Sequence, residues 1–441
     1  MTSYQGNLSK LIIKNCVSTK DKMSKQIEIC KLNKSQKQYI QDNLVVTTKM
    51  GKEISIFDFE DDMVNLPLYF GSQYSDEKQS QKGDFKECIG FIGNLKSEQE
   101  KVRNECMKFL STIGTCILGA QPGFGKTITT IEIICRINVK TMILIKQTVV
   151  IEQWLESFQK YAPQKSVQKI TSKTKINQDA DIFILNPILL KNSDCINSKL
   201  YNICKNVKFL ILDEVHLLLT EIFMKSLFKI HPFYLLGLSA TPRRPKNDPF
   251  RNTFDWFFGP HIVERKLFRR HLVYIVKTNF EPDYLKYTPQ GLDWNHVLNE
   301  QSENSMRNKI IVENILKFPN KIWLVLVKRV KHAEILQTLF KEKNFETELL
   351  IGSKIKFNKS CTILIGTTSK IGVGFDHAPI NALCIAADVV EYFEQFLGRC
   401  MRDEKIEPIV LDFQDKLGVL NKHFYERVKE YKKYGGELMK I

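Results

Sequence analysis

Residues Thr115–Thr127 read TCILGAQPGFGKT, a short apolar run that breaks into a glycine-containing loop and leads into the helix-prone stretch ITTIEIICRI. The apolar run is bounded by a turn signal and is too short for a buried helix, so a strand is predicted over Thr115–Leu118. A strand, a tight loop and a helix opening on Lys126 and Thr127 form the setting in which backbone amides can turn toward phosphate oxygens. Ala120, Gln121, Pro122, Gly123, Phe124, Gly125, Lys126 and Thr127 (AQPGFGKT) fit that phosphate-loop pattern, with alanine in the place of the first glycine. Gly123 and Gly125 free the backbone to approach, Lys126 reaches the β and γ phosphates, and the Thr127 hydroxyl ligates Mg2+. The nucleotide these features predict is ATP.

Working outward, short β-branched apolar runs recur between helical stretches, as in buried parallel strands of an α/β layer structure. Strands are predicted at Thr141–Ile145, Asp181–Leu185, Phe209–Leu212 and Tyr234–Leu238, then at Lys321–Val327, Thr362–Gly366, Asn381–Ala386 and Pro408–Asp412. Two such series predict an α/β fold of two tandem doubly wound parallel-sheet domains, with ligands at the carboxyl ends of the strands. The expected layout is an N-terminal accessory module (1–90), a first sheet domain that carries the phosphate loop (91–245), a connector (246–304), a second sheet domain (305–415) and a basic C-terminal helix (416–441). The polar run Gln73–Lys86 reads as a linker.

The strand Phe209–Leu212 runs into Asp213, Glu214, Val215 and His216 (FLILDEVH). Adjacent carboxylates at a strand end are costly unless used. Asp213 can hold magnesium and its water shell while Glu214 orients the attacking water, a division of labour required by hydrolysis and not by simple binding.

A length of 441 residues argues for two to three domains, and 43% hydrophobic with 26% charged residues excludes a disordered chain. The 65 Lys and Arg exceed the 49 Asp and Glu by 16, which favours a polyanionic partner. No run is apolar and long enough to span a bilayer or to act as a signal peptide, so an intracellular protein is expected, without a membrane partner. The 11 cysteines include no CxxC pair and read as reduced, mostly core residues.

DEVH is followed by SATP (Ser239–Pro242), then by GTTSKIGVGFD (Gly366–Asp376) and QFLGRCMR (Gln395–Arg402). In this order the motifs resemble those of superfamily 2 helicases and translocases of the DExH type, over roughly Leu95 to Asp412. The resemblance implies RecA-like motor domains and gives residues roles. Gln99 resembles the glutamine that reads adenine, and His216, Ser239 and Thr241 resemble the groups that link hydrolysis to domain movement. Gly374 and Asp376 resemble the nucleotide-side part of motif V, and Gln395, Arg399 and Arg402 resemble motif VI, whose arginines reach the γ-phosphate across a cleft. Lys146, Gln153, Trp154, Asn186 and Thr367 resemble nucleic-acid contacts of motifs Ia, Ib and V, with Trp154 open to a second reading as a core residue. Arg399 and Arg402 taken alone would suit a solvated helix face, and Arg243, Arg244 and Lys246 equally suit a surface or a nucleic-acid track. The sequence departs from the pattern at the first motif I glycine, at the motif Ia proline and at Val373.

Within the superfamily the chain is similar to the helicases of large cytoplasmic DNA viruses, such as the poxvirus transcript-release type, which are related to nucleotide-excision-repair translocases. That resemblance implies a DNA-dependent ATPase moving 3′ to 5′, working in viral transcription, or in repair or replication. DNA and the transcription machinery are its expected partners, and host cytoplasm or virion its expected place. A nucleotide-gated clamp without processive unwinding, and an RNA helicase, remain open on the same motifs.

Overall fold

The computed structural model describes residues 26–48, 51–74, 85, 87–121, 123–191, 199–244, 248–265, 268–289, 291–352, 354, 357–371, 375, 377, 379–390, 393–402 and 405–440. Pro122, Gly374, Asp376, Lys246, Val373 and most of the linker Gln73–Lys86 lie outside the described residues. The chain divides into two compact units, one ending at Arg265 and the other starting at Lys266, with the short stretch Gln121–Phe124 grouped with the second.

The first unit is built on a seven-stranded sheet. Its strands are β1 (Thr115–Ala120), β2 (Thr141–Leu144), β3 (Val167–Ile170), β4 (Ile182–Leu185), β5 (Phe209–Asp213), β6 (Tyr234–Ser239) and β7 (Ile262–Arg265), in the order β7-β1-β6-β5-β2-β4-β3. Every pairing is parallel. Strands β1, β2, β4 and β5 are buried along their whole length, the condition under which uninterrupted apolar runs are stable as strands. Helices α1 (Ser97–Thr112), α2 (Lys126–Ile137) and α3 (Thr148–Tyr161) belong to this unit, as do the short α4 (Val215–Leu218) and α5 (Thr253–Phe258). β1, β6 and β5 are neighbours in the sheet, so the loops leaving their carboxyl ends lie side by side.

The described part of the N-terminal module has a three-stranded antiparallel sheet (Gln26–Glu28, Met63–Asn65, Asp58–Glu60) and a separate pair (Val45–Thr47, Glu53–Ser55). It has no core of its own. Leu44, Val46, Ile56, Leu66 and Phe70 join one buried cluster with Leu210, Phe254 and Phe257 of the motor. Tyr69 stacks edge-on against His261 with ring centroids 5.6 Å apart. Burial of this apolar face fixes the module to the first unit rather than leaving it beside it on a tether.

The second unit carries β8 (His271–Lys277), β9 (Trp323–Val327), β10 (Glu348–Leu350), β11 (Ile363–Thr367), β12 (Ala382–Ile385), β13 (Ile409–Gln414) and β14 (Gly436–Lys440), in the order β10-β11-β9-β12-β13-β8-β14. These pairings too are all parallel. Helices α6 (Trp294–Glu303), α7 (Ser305–Leu316), α8 (Val330–Glu342), α9 (Phe393–Leu397) and α10 (Gly418–Lys433) belong to it. The two units are tandem RecA-like domains.

Two boundaries differ from those expected. The stretch read as a connector, 246–304, supplies β7 to the first sheet and β8 to the second. Its polar residues masked the alternation in HLVYIVK, and half-buried strands beside a sheet edge do not need uninterrupted apolar runs. The stretch 416–441 is more than a helix, because α10 is followed by β14, which pairs with β8 and continues the sheet.

Several charged and polar groups in the second unit's interior are paired. Arg307 Nε donates to Asp415 Oδ1 at 2.9 Å and Gln301 Nε2 donates to Asp415 Oδ2 at 2.6 Å. Removing one partner of such a buried pair would cost about 3–5 kcal/mol, since the other charge is left without compensation. His332 is fully buried against Asn308, Nε2 lying 2.9 Å from Oδ1. Burial, with the nearby Arg307 charge, lowers this imidazole to about 3. As pH falls, the unfolded chain takes up the proton first, near pH 6.5, and the folded chain only near 3, so stability is lost progressively across that window. His332→Gln is expected to flatten the fall of Tm between pH 7 and pH 5, at some cost in Tm at neutral pH. An unchanged slope in melts followed by circular dichroism would count against the assignment.

Candidate ATP site and motor motifs

The phosphate loop leaves β1 at Ala120 and enters α2 at Lys126. Gly123 and Gly125 have φ of +84° and +95°, a region that L side chains rarely adopt. A Cβ at Gly125 would also come within 2.3 Å of Gln99 Nε2, so the glycine lets the α1 glutamine pack against the loop. Gln99 is buried and its Oε1 accepts from the Lys96 N–H at 2.8 Å, which caps α1 and fixes the side chain. Gly125 caps α2 without a side-chain acceptor, so the first amides of a 12-residue helix face the loop. The Lys126 ammonium donates to the Ala120 carbonyl at 2.7 Å, folded back over the loop that it closes. The α1–α2 arrangement is held by Glu132 of α2, which accepts from Arg103 and, at 2.6 Å, from Arg136 Nε. A loop of open amides with an ammonium above it suits a triphosphate.

Asp213 is buried at the end of β5. Its Oδ2 accepts from Trp154 Nε1 at 2.8 Å and its Oδ1 from the Glu214 N–H at 3.0 Å. Burial and the adjacent Glu214 carboxylate push the Asp213 carboxyl up to about 6, against the Trp154 donor and the Lys126 charge. Glu214 takes a left-handed φ of +50°, a strained conformation that turns its side chain off the strand line. Its Oε2 is buried with no hydrogen-bond donor among the described residues. A desolvated carboxylate oxygen of this kind fits a bound water, and Asp213, within the field of the Lys126 ammonium, fits a hydrated magnesium ion.

His216 Nδ1 lies 3.0 Å from Ser239 Oγ, and Ser239 Oγ accepts from the Thr241 N–H at 3.0 Å, so the loops after β5 and β6 are joined directly. Burial, with the Arg244, Lys126 and Lys146 charges, lowers His216 to about 4 and keeps it neutral near pH 7. Arg244 adds a second link: Nη2 donates to the His216 carbonyl at 2.9 Å and to that of Leu219 at 2.6 Å, while Nη1 donates to Asp248 at 2.7 Å. The sequence left Arg244 between surface and track; it is a latch between the two loops.

In the second unit, Gln395 and Arg399 are buried. The Arg399 guanidinium donates to the Phe375 carbonyl and, at 3.5 Å, to that of Ile371, bonds within its own unit that tie motif VI to motif V. Arg402 is half-exposed. Gln395 Nε2 is buried with no acceptor among the described residues.

Three of the residues assigned to nucleic acid, Lys146, Asn186 and Thr367, keep strand-end or loop positions, and Gln153 lies on α3. Lys146 is exposed, with its ammonium 5.7 Å from the centre of the Phe223 ring. Asn186 bridges to the Lys146 carbonyl at 2.6 Å and to the Ile188 N–H at 3.0 Å. Gln153 is half-buried, and Thr367 is buried with Oγ1 3.3 Å from Ser369 Oγ. Trp154 is the correction. It is only 1% exposed and its indole is used on Asp213, so it belongs to the ATP site's support. Spacing held the signal, since Ile151, Trp154 and Phe158 form the buried stripe of α3.

Residues 92–244 match the family described as the type III restriction enzyme, res subunit. The putative helicase 161L of Invertebrate iridescent virus 6 is 36% identical over 372 residues, 78% of this chain and 82% of that protein. The chain belongs to the superfamily 2 helicases. The transcript termination protein A18 of Yaba-like disease virus is 27% identical to this helicase over 310 residues, 64% of this chain and 63% of the viral protein, which extends the likeness to a poxvirus. Among solved structures, S. cerevisiae Dbp5 bound to RNA and ADP BeF3 has 14% identity and a TM-score of 0.54, covering 77% of this chain and 89% of that one; the likeness is one of fold.

As a member of this superfamily the helicase is a nucleic-acid-dependent ATPase. Trp154→Phe keeps most of the buried ring and removes the donor to Asp213. A lost bond to a carboxylate corresponds to about 1.5–3 kcal/mol, so ATP turnover should fall by roughly tenfold or more while single-strand affinity is unchanged. Full turnover with weakened binding would return Trp154 to the nucleic-acid surface.

Proposed function

We propose that this helicase is an ATP-driven DNA translocase moving 3′ to 5′, and that it acts in viral transcript release, with repair or replication as the alternative setting. The observation that carries the hydrolytic part is the Asp213–Glu214 pair: one carboxylate is held by Trp154, the other has a buried oxygen that accepts no hydrogen bond among the described residues, with His216 Nδ1 3.5 Å from it. In this reading Lys126 and the amides of the phosphate loop bind the β and γ phosphates, and Gln99 reads the adenine. Thr127 and Asp213 hold Mg2+, and Glu214 takes the proton from the attacking water. His216, Ser239, Thr241 and Arg244 carry the state of that site to the next loop.

Gln395, Arg399 and Arg402 answer the γ-phosphate, Arg402 from a half-exposed position and Arg399 by exchanging its Phe375 and Ile371 carbonyls for phosphate oxygens. Lys146, Gln153, Asn186 and Thr367 contact one strand through phosphates. Such contacts carry little sequence preference and weaken with salt. Support for the DNA and transcription parts comes from the restriction-enzyme family that the first unit matches and from the name of the Yaba-like disease virus relative.

Glu214→Gln and Lys126→Ala should lower nucleic-acid-stimulated ATP hydrolysis by about 10²–10⁴-fold while DNA binding survives. Stimulation should be greater with DNA than with RNA homopolymers, and tailed duplexes should be unwound from a 3′ overhang. Wild-type-like turnover in both variants would remove the hydrolytic assignment. Preferential stimulation by RNA would make it an RNA motor, and stimulation without strand displacement a clamp.

A further inference from the structure

The segment Asp388–Arg402 carries Gln395, Arg399 and Arg402, and its described residues are anchored at the leading end and in the middle by α10 and the turn after it, and at the trailing end by Arg269, which is itself bonded to that turn. At the leading end, Arg427 Nη1 donates to Asp388 Oδ1 and to the Val389 carbonyl, both at 3.4 Å. His423 Nδ1 lies 2.9 Å from Asp388 Oδ2. Arg427 is itself fixed by a two-pronged bond to Asp412, Nε to Oδ2 and Nη2 to Oδ1, each at 2.8 Å. In the middle, the Tyr431 ring meets Phe393 edge-on with centroids 5.0 Å apart, and the Tyr434 hydroxyl donates to Glu394 Oε2 at 2.8 Å. At the trailing end, Arg269 Nη1 donates to the Met401 carbonyl at 2.8 Å, and the Arg269 N–H donates to the Tyr434 carbonyl at 2.9 Å.

Packing alone would not require this set. Phe393, Phe396, Leu397 and Met401 already share a buried apolar cluster with Tyr431 and Tyr434. Apolar contacts hold a short helix down but leave its rotation soft, whereas hydrogen bonds are directional. Gln395 lies on α9 and Arg399 on the 3-10 turn Gly398–Cys400 that continues directly from it, so a small rotation of α9 would displace both polar ends.

We propose that α10 and its following turn are a positioning element for the motif VI residues, with Tyr434 and Arg427 setting the rotation and register in which Gln395, Arg399 and Arg402 meet the nucleotide. This rests on the reading above that motif VI acts on the γ-phosphate. Tyr434 acts through Glu394, and Arg427 through Asp388 and Val389.

The test uses the full chain, with ATP hydrolysis measured at saturating single-stranded DNA homopolymer. Tyr434→Phe and Glu394→Ala are each expected to lower kcat by about tenfold, with the KM for ATP and the DNA affinity within about twofold of wild type. The double variant should be no slower than either single one, because both remove the same bond. Glu394→Gln keeps an acceptor for the Tyr434 hydroxyl and should restore kcat. Unchanged kcat in folded variants, additive losses, or no rescue by Glu394→Gln would overturn the proposal. If Tyr434→Phe proves unstable, the Glu394→Ala and Glu394→Gln pair decides alone, since Glu394 is only half-buried. Arg402→Ala separates the two readings. Wild-type hydrolysis in Arg402→Ala would sink the motif VI assignment itself, whereas a slow Arg402→Ala beside wild-type rates in Tyr434→Phe and Glu394→Ala would sink only the positioning role.

Discussion

A carboxylate at the end of a buried strand has to be stabilised by something, and in the first unit the Trp154 indole supplies the bond. Asp213 is buried at the end of the four apolar residues Phe209–Leu212 of β5, and an unpaired acid there would take up a proton and lose its use for a cation. The indole bond and the Glu214 amide offset part of that penalty, yet the carboxyl remains near 6, well above an exposed aspartate. A desolvated carboxylate of this kind is stabilised further by a divalent cation. The same constraint explains why a tryptophan occupies α3 at this place. Phenylalanine could fill the volume, but only an aromatic ring with a donor can do both.

From that acid the remaining contacts form a relay whose parts are short-range. The strand end fixes Glu214 in a left-handed turn, the turn starts α4, and α4 carries His216 to Ser239 on the neighbouring strand. Because β5 and β6 are paired in register, a shift of one loop must move the other. Arg244 spans the same gap through carbonyls that α4 leaves open at its end. The second unit has a comparable device within β13, where Asp412 holds Arg427 and Tyr431 of α10. In both units a buried acid on a central parallel strand organises the elements around it.

What the sequence disclosed, and what it withheld, follows from this architecture. Nine central strands were legible because burial on both faces demands continuous apolar runs, and the motif residues were legible because phosphate chemistry restricts residue type at fixed spacing. The edge elements were harder to read. β8 alternates buried and half-buried positions, and β14 is mostly exposed, so neither gave a run that stood out from loop composition. Arg427 looked like one more cation on a basic helix, since nothing local to KHFYERVKEY discloses a partner 15 residues upstream. Trp154 and Arg244 were misplaced or left open because their partners, Asp213 and the His216 carbonyl, are 59 and 28 residues away. Side chains whose work is to hold another residue are specified by tertiary contact, and one-dimensional patterns do not record it.

The excess of 16 positive charges takes on a narrower meaning in this light. Among the ion pairs, the arginines divide: Arg307 and Arg427 are buried against Asp415 and Asp412, and Arg103 and Arg244 are half-buried against Glu132 and Asp248, each held to one place by the planar fork of its guanidinium. The paired lysines are all at least 30% exposed, as Lys52, Lys331 and Lys416 illustrate. A buried arginine matched to a carboxylate adds nothing to the outward field, because its partner cancels it within a bond length. The field that a polyanion meets is therefore carried by exposed cations in excess of their acids, ammonium groups on flexible stems together with open guanidinium groups such as Arg243 and Arg270. Charges of that kind attract phosphates without reading bases, which suits a motor that must release each contact as readily as it makes it.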